Sequence, residues 1–252
     1  MRVFALLYGL VSYVVFLGAF LYAIAFVANY AVTLGGTVLV SKTIDGPGAS
    51  APFDVNSLLV NALLLGAFAI QHSVMARRWF KEWWTRIIPK AIERSTYVLI
   101  SSLLLFLLYF QWRPMTDPVW TAPEGAARTV LYALYGLGWF IVLTSTFLIN
   151  HWDLFGLRQV AAFASGKEPG PLHFTKRGLY AVCRHPIMLG FIIAFWATPD
   201  MTIGHLVFSI ATTAYIFVAL QFEEKDLARQ HPEYQDYRRT TSMVFPLPKR
   251  SR

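Results

Sequence analysis

Charge is scarce in this chain. Only 14% of its 252 residues are Asp, Glu, Lys or Arg, and 56% are hydrophobic. A soluble domain of this length carries about 25% charged residues, so the deficit excludes an ordinary soluble fold and points to a single polytopic membrane domain spanning residues 1–252. Cysteine is scarcer still. Cys183 is alone, which excludes an internal disulfide framework and a multi-cysteine metal site. Acidic residues number 14 against 22 basic ones, a formal charge of +8. In so apolar a chain that excess fits basic loops facing anionic lipid, so the lipid bilayer is an expected partner and nucleic acid is not. No internal repeat or low-complexity segment is visible.

What is present is a series of charge-free runs: Val3–Ser41, Val55–Ala76, Ser95–Trp112, Thr129–Trp152, His185–Pro199 and Met201–Phe222. A helix needs roughly 20 apolar residues to cross the hydrocarbon core. Runs one, two, four and six meet that readily, and run three is near the lower limit. Run five is short and turns into run six at Pro199-Asp200. The expected fold is all-α and polytopic: four full transmembrane helices plus a C-terminal helical hairpin, five to six membrane helices in all. The first run is far longer than the apolar core of a signal peptide, so it reads as a retained transmembrane helix. Residues 1–152 would supply the helices and substrate pocket, and 153–252 the cofactor-binding part.

Alternate loops carry the cations. Loop 77–94 holds Arg77, Arg78, Lys81, Arg86, Lys90 and Arg94. Loop 153–184 holds Arg158, Lys167, Lys176, Arg177 and Arg184, and the tail adds a further set ending in Lys249, Arg250 and Arg252. The opposite loops have only Lys42, Arg113 and Arg128. The positive-inside rule then puts both termini and both basic loops in the cytoplasm of a bacterial-type inner membrane. Asp45–Pro52 reads as an outer turn-rich loop, Arg113–Pro123 as an outer interfacial belt, and Ser165–Pro171 as a flexible cytoplasmic loop. His231-Pro232 should break the helix that continues run six, and Glu233–Arg239 should form a short helix with Tyr234 and Tyr237 on one face.

The richest stretch is Gly178–Gly190, Gly-Leu-Tyr-Ala-Val-Cys-Arg-His-Pro-Ile-Met-Leu-Gly. Pro186 suits the first turn of a helix, which leaves Arg184 and His185 at its mouth. If runs five and six form a hairpin, Glu223 and Glu224 return to the same face. Arg184 can fork a carboxylate, and Glu223 or Glu224 can accept from ribose hydroxyls or an ammonium. The rings of Tyr180, Tyr234 and Tyr237 can stack a purine or face a cation. The same residues also suit snorkelling interface positions and helix-end ion pairs.

The pattern Gly178, Tyr180, Arg184, His185, Pro186, Gly190, then Glu223, Glu224, Leu227, Tyr234, Tyr237 and Arg238, with Phe245-Pro246 near the end, resembles the C-terminal signature of the isoprenylcysteine carboxyl methyltransferases and their phospholipid methyltransferase relatives. The likeness implies S-adenosylmethionine at the cytoplasmic end of the hairpin, with S-adenosylhomocysteine as product. It implies a cofactor set of Tyr180, Arg184, His185, Pro186, Leu189, Glu223, Glu224, Tyr234, Tyr237 and Arg238. Cys183 and Met188 depart from the pattern, standing where an aliphatic residue and a tyrosine are frequent. Segments 71–77, 92–97 and 147–156 resemble the bacterial branch of that superfamily that converts methanethiol to dimethyl sulfide, which implies a small thiol as substrate; no obligatory protein partner is evident in the sequence. Methylation of a prenylcysteine carboxyl or of a phospholipid amine is the alternative within the class. A haem-linked or transport-related membrane protein is the alternative outside it.

A thiol must lose its proton, because the thiolate is the nucleophile. Candidates for the catalytic groups are His72, Asn150, His151 and Asp153, with Arg94 as a nearby cation. Each also has a plain structural use: His72 bonded to a neighbour in a packed core, His151 and Asp153 satisfying helix-end groups. Cys183 suits a small space-filler better than a reactive thiol, and no metal site is expected. Trp79, Trp83 and Trp84 read as an interfacial anchor. Trp139, Phe140, Phe147, Trp152, Phe191, Phe195 and Trp196 are expected to close the pocket against lipid tails.

Overall fold

A computed structural model of the chain describes residues 1–46, 48–170, 175–230 and 232–246. Pro47, Pro171, His231 and the tail cations Lys249, Arg250 and Arg252 lie outside the described residues. The chain is an all-α, multi-pass membrane protein. Among the described residues, five helices are long and apolar enough to cross a membrane: Arg2–Val27, Val55–Ala76, Lys90–Gln111, Ala126–Ile149 and Ile203–Arg229. Pro186–Trp196 is a shorter apolar helix beside them. Two compact units interleave along the sequence.

The first unit comprises Met1–Val119, Trp152–Pro171 and Met201–Val207. Its long helices are α1 (Arg2–Val27), α2 (Val55–Ala76) and α4 (Glu93–Gln111), with the short α3 (Arg78–Trp84) after α2. Asp54 caps α2 by accepting from the Ser57 N–H at 2.9 Å, which satisfies one of the helix's orphan donors. Tyr22 of α1 stacks on Tyr109 of α4 with centroids 5.0 Å apart, and Tyr8 donates to Thr96 at 3.0 Å. Helix α7 (Leu157–Ala164) packs on α1, where a Cβ at Gly9 would sit 2.5 Å from Val160. Run three gains length at its start: a 3₁₀ turn at Lys90–Ile92 leads into α4, so Glu93 and Arg94 are helical. Arg94 donates to the Leu154 carbonyl at 2.8 Å.

The first run departs from a single helix. After Val27 the chain forms a hairpin of β1 (Val32–Leu34) and β2 (Thr37–Val40), antiparallel, with Leu34 opposite Thr37. Gly35 and Gly36 make the turn with φ of 55° and 81°. Two-residue hairpin turns need positive φ at both positions, which glycine adopts without a Cβ penalty. The fold stays all-α in class, and the hairpin shortens the first apolar run's helix to Arg2–Val27.

The second unit comprises Trp120–His151, Leu172–Asp200 and Phe208–Arg252. It is built on α5 (Ala126–Ile149) and α9 (Pro186–Trp196), which pack closely along their length. Gly138 and Gly190 bring the two backbones together: a Cβ on Gly190 would lie 2.6 Å from the Gly138 carbonyl oxygen, and one on Gly138 would lie 2.7 Å from the Gly190 oxygen. Beside them Trp139 meets Phe191 and Phe195 edge-on. At one end of this pair Arg128 forks Asp200 at 3.1 and 2.6 Å, and Ala122 N–H donates to the Pro199 carbonyl at 2.8 Å. Eleven residues make α9 about 16 Å long, half a bilayer. Helix α10 (Ile203–Gln230) runs 28 residues, beyond the expected end of run six at Phe222. Glu223 and Glu224 therefore sit on its continuing helix. The expected short C-terminal helix is present as α11 (Tyr234–Thr240).

Candidate active site

Pro186 occupies the first turn of α9 and His185 stands just before it, as the sequence pattern requires. The residues ahead are held by main-chain pairing. Arg184 N–H donates to the Ser242 carbonyl at 2.9 Å and His185 N–H to the Met243 carbonyl at 3.0 Å. The chain after α11 thus runs parallel to Cys183 and its successors. Below this pairing Ile192, Ile216, Leu220 and Val244 form an apolar core, against which Met188 and Leu189 pack.

Glu224 lies at the centre. Arg184 forks it through Nε and Nη2 at 2.7 and 2.9 Å. His185 Nε2 lies 3.1 Å from Oε1, Tyr234 donates to Oε1 at 2.9 Å, and Arg238 Nε stands 3.3 Å from Oε2. The remaining side of the Arg184 guanidinium donates to the carbonyls of Thr241 (2.5 Å) and Arg238 (3.3 Å). The Arg184 and Glu224 side chains are only 6% and 8% exposed. A buried ion pair is tolerated when further hydrogen bonds satisfy both partners, and here they do.

Tyr180 and Tyr237 complete the clasp. Tyr180 donates to the Ser145 carbonyl of α5 at 3.4 Å, and its own carbonyl accepts from the Tyr237 hydroxyl. Tyr234 and Tyr237 meet edge-on, and Lys176 lies over the Tyr237 ring at 5.5 Å. Burial pushes the Tyr237 hydroxyl up to about 12 and raises Tyr180 and Tyr234 as well, so all three stay neutral donors. Burial also raises the Cys183 thiol. A protonated, buried thiol is inert, which matches a space-filling role.

Two charged groups flank the clasp at the surface. Glu223 is 48% exposed, with its carboxylate 3.8 Å from His185 Nδ1, and Arg238 is 45% exposed. All ten residues of the expected cofactor set lie in the second unit, and Arg184, His185, Tyr234 and Arg238 meet on the Glu224 carboxylate. Arg184's fork is on Glu224, where the sequence suggested a ligand carboxylate. The partners that sequence reasoning missed are the carbonyls of Thr241, Ser242 and Met243, which no side-chain type announces.

The four catalytic candidates are divided. Asn150 and His151 belong to the second unit, His72 and Asp153 to the first. His72 stacks on Phe68 with centroids 5.1 Å apart, and both its ring nitrogens lie within 3.0 Å of the Tyr97 hydroxyl. Ser101 is 3.2 Å from its Nδ1. Asp153 pairs with Arg158 at 2.7 Å and accepts from Gln159. Both are engaged within their own packing. His151 is buried, stacked on Phe147 and bonded to Thr146. Asn150 ends α5. Of the rings expected to close a pocket, Trp139 and Phe195 are buried, while Phe140, Phe147 and Trp152 are exposed. Among the described residues no group of three His, Cys, Asp or Glu converges as metal ligands would.

Helix content and clasp define a multi-pass membrane protein with a buried Arg–Glu–His–Tyr centre at the mouth of a half-length helix. The chain is 54% identical to a methanethiol S-methyltransferase of Mycobacterium tuberculosis, over 99% of this chain and 98% of that protein. It is 51% identical to methanethiol S-methyltransferase 2 of Bradyrhizobium diazoefficiens (97% and 91% covered) and 48% identical to a methanethiol S-methyltransferase of Crocosphaera subtropica (98% and 93%). The chain belongs to the methanethiol S-methyltransferase family. No family model matches it, and no solved structure does.

Proposed function

We propose that this protein transfers a methyl group from S-adenosylmethionine to methanethiol, giving dimethyl sulfide, S-adenosylhomocysteine and a proton, at the cytoplasmic side of a membrane. The observation that carries the reading is the half-exposed pair Glu223 and Arg238 held beside the saturated Glu224 centre. The donor set fits an amino acid zwitterion: Glu223 for the ammonium, or for ribose hydroxyls, and Arg238 for the carboxylate. When bound, S-adenosylmethionine supplies an electrophilic methyl on a sulfonium sulfur. Glu224 itself is fully engaged, so its part is to hold Arg184, His185, Tyr234 and Arg238 in place. Leu189 and Met188 provide apolar walls beside the charged mouth. A dry wall favours a step in which the reactants lose charge, because charged reactants are poorly solvated there.

Family membership supports methanethiol as the acceptor. The bulky rings of Trp139, Phe191 and Phe195, packed edge-on between α5 and α9, agree with a small acceptor. The concentration of cations in the loops after α2 and α5 and in the tail supports cytoplasmic termini. The test is purified protein in nanodiscs with methyl-labelled S-adenosylmethionine and, separately, methanethiol, farnesylated cysteine and phosphatidylethanolamine. Label should move to the thiol. Turnover on either lipid-like acceptor equal to that on methanethiol overturns the substrate assignment. A haem absorption band in the purified protein would favour the haem-linked alternative.

A further inference from the structure

We propose that helix α3 and the loop after it bind the head groups of anionic phospholipid, with Trp79 and Trp83 at the acyl boundary and Arg78, Lys81 and Arg86 on the phosphates. The proposal goes beyond the methyl-transfer reading and holds whatever reaction the Glu224 centre performs.

The placement follows from the chain's path in the first unit. Helix α2 has 22 residues, about 33 Å of helix and enough to cross the hydrocarbon. It ends at Ala76, because Arg77 adopts extended backbone (φ −72°, ψ 144°). The next spanning segment starts at Lys90, and α2 and α4 pack on each other. Residues 77–89 therefore connect two neighbouring spans at one face of the membrane, which puts α3 at head-group depth.

The helix is two-sided. Successive residues turn by about 100°, so Trp79, Trp83, Phe80 and Trp84 make one continuous side and Arg78, Lys81 and Glu82 the other. The rings are in contact: the Phe80 centroid lies 5.8, 5.4 and 5.9 Å from those of Trp79, Trp83 and Trp84. Half of that apolar side is used inside the protein, where Phe80 packs on Met75, Tyr97 and Val98. The other half is not: Trp79 and Trp83 are 61% and 48% exposed, and Ile87, just beyond the helix, is 61% exposed. Tryptophan has an apolar body and a polar N–H, which suits the boundary between acyl chains and head groups. A helix divided in this way lies in the plane of the interface.

The charged side is short of negative charge. Residues 77–90 hold five cations, Arg77, Arg78, Lys81, Arg86 and Lys90, against one carboxylate, Glu82. Glu82 is engaged by Arg78 at 2.7 Å. Lys81 is half-buried, since Phe80 draws the helix onto the core. Burial, with the cations Arg94 and Arg77 nearby, holds its ammonium below its ordinary value, and Glu93 offsets only part of this. A head-group phosphate beside Lys81 supplies the missing counter-charge. Two chemistries thus meet on one short helix, rings for acyl chains and cations for phosphate. A soluble phosphate answers only the second. A second copy of this chain would bring the same excess of cations.

The test is native mass analysis of the full chain in neutral detergent, offered phosphatidylglycerol and phosphatidylcholine in equal amount. The parent should retain phosphatidylglycerol about tenfold or more over phosphatidylcholine. Lys81→Gln should lower that ratio about fivefold, and Arg78→Gln with Arg86→Gln should lower it further. Lys167→Gln, which neutralises an exposed cation of another loop, should leave it within about twofold. Added inorganic phosphate should not displace the lipid. A nitroxide on Ile87→Cys in phosphatidylglycerol nanodiscs should be reached by oxygen and shielded from an aqueous nickel chelate; Cys183, 1% exposed, is closed to the labelling reagent. No preference in the parent, an equal loss in Lys167→Gln, displacement by inorganic phosphate, or a label open to nickel each overturns the proposal. So does spin–spin broadening between labelled copies, which would put a second chain on this surface. If Lys81→Gln fails to fold, Arg78→Gln with Arg86→Gln, both at exposed positions, decides alone.

Discussion

Glu224→Gln removes one negative charge from a centre where a single carboxylate faces Arg184, Arg238, His185 and Tyr234. The amide keeps one acceptor oxygen and turns the other into a donor that points at a donor. Arg184, 6% exposed, is left as a buried cation without a counter-charge. Removing one partner of a buried pair costs about 3–5 kcal/mol. For a chain of this size that lowers the melting temperature by about 10 °C, and the loss is present before any ligand is added. Glu223→Gln is the control. Its side chain is 48% exposed, so stability should change by less than about 0.5 kcal/mol. Affinity for S-adenosylhomocysteine should fall about tenfold or more, as expected for one charge-assisted bond. The assay is thermal unfolding in detergent with and without S-adenosylhomocysteine, together with calorimetry. If Glu224→Gln melts with the parent and loses only affinity, the carboxylate is a ligand contact and the structural reasoning fails.

Arg184→Lys should also destabilise, because a point-charge ammonium cannot fork Glu224 and reach two carbonyls at once; parent-like melting would refute this. Gly190→Ala should cost at least about 1–3 kcal/mol by overpacking, since its Cβ would meet the backbone of Gly138 and Val142 at 2.6 and 2.9 Å. Gly136→Ala, with nothing within 4 Å of an added Cβ, should be neutral or slightly stabilising in the same melting experiment. A green fluorescent protein fused to the C-terminus should fluoresce and an alkaline phosphatase should be inactive; the reverse would place the tail and the Glu224 centre on the other side.

Much of the fold was legible because membrane helices announce themselves by absence of charge. Runs two and four match α2 and α5 closely for that reason. The hairpin at 32–40 was hidden by the same signal: strand residues such as Val32 and Val38 carry no charge either, so the first run merged helix and hairpin. Gly35-Gly36 between Val32-Thr33-Leu34 and Thr37-Val38 was the cue. At the site, the convergence of Arg184 with Glu224 follows from the motif and the hairpin. What the fork binds does not, because it depends on carbonyls of residues 238 and 241 that are independent of side-chain identity. His151 was visible as a candidate, but its contact with Thr146 was not. It depends on the break at Asn150 that brings residue 151 back over residue 146.

The most direct measurement is mass analysis of headspace gas over purified protein given methanethiol and S-adenosylmethionine carrying a trideuterated methyl group. The account predicts dimethyl sulfide with one trideuterated methyl, formed in equal amount to S-adenosylhomocysteine, and a yield that falls as the alkyl chain of the thiol lengthens. Trideuterated methyl recovered in prenylcysteine esters or phospholipid amines, with unlabelled or no dimethyl sulfide, would contradict it.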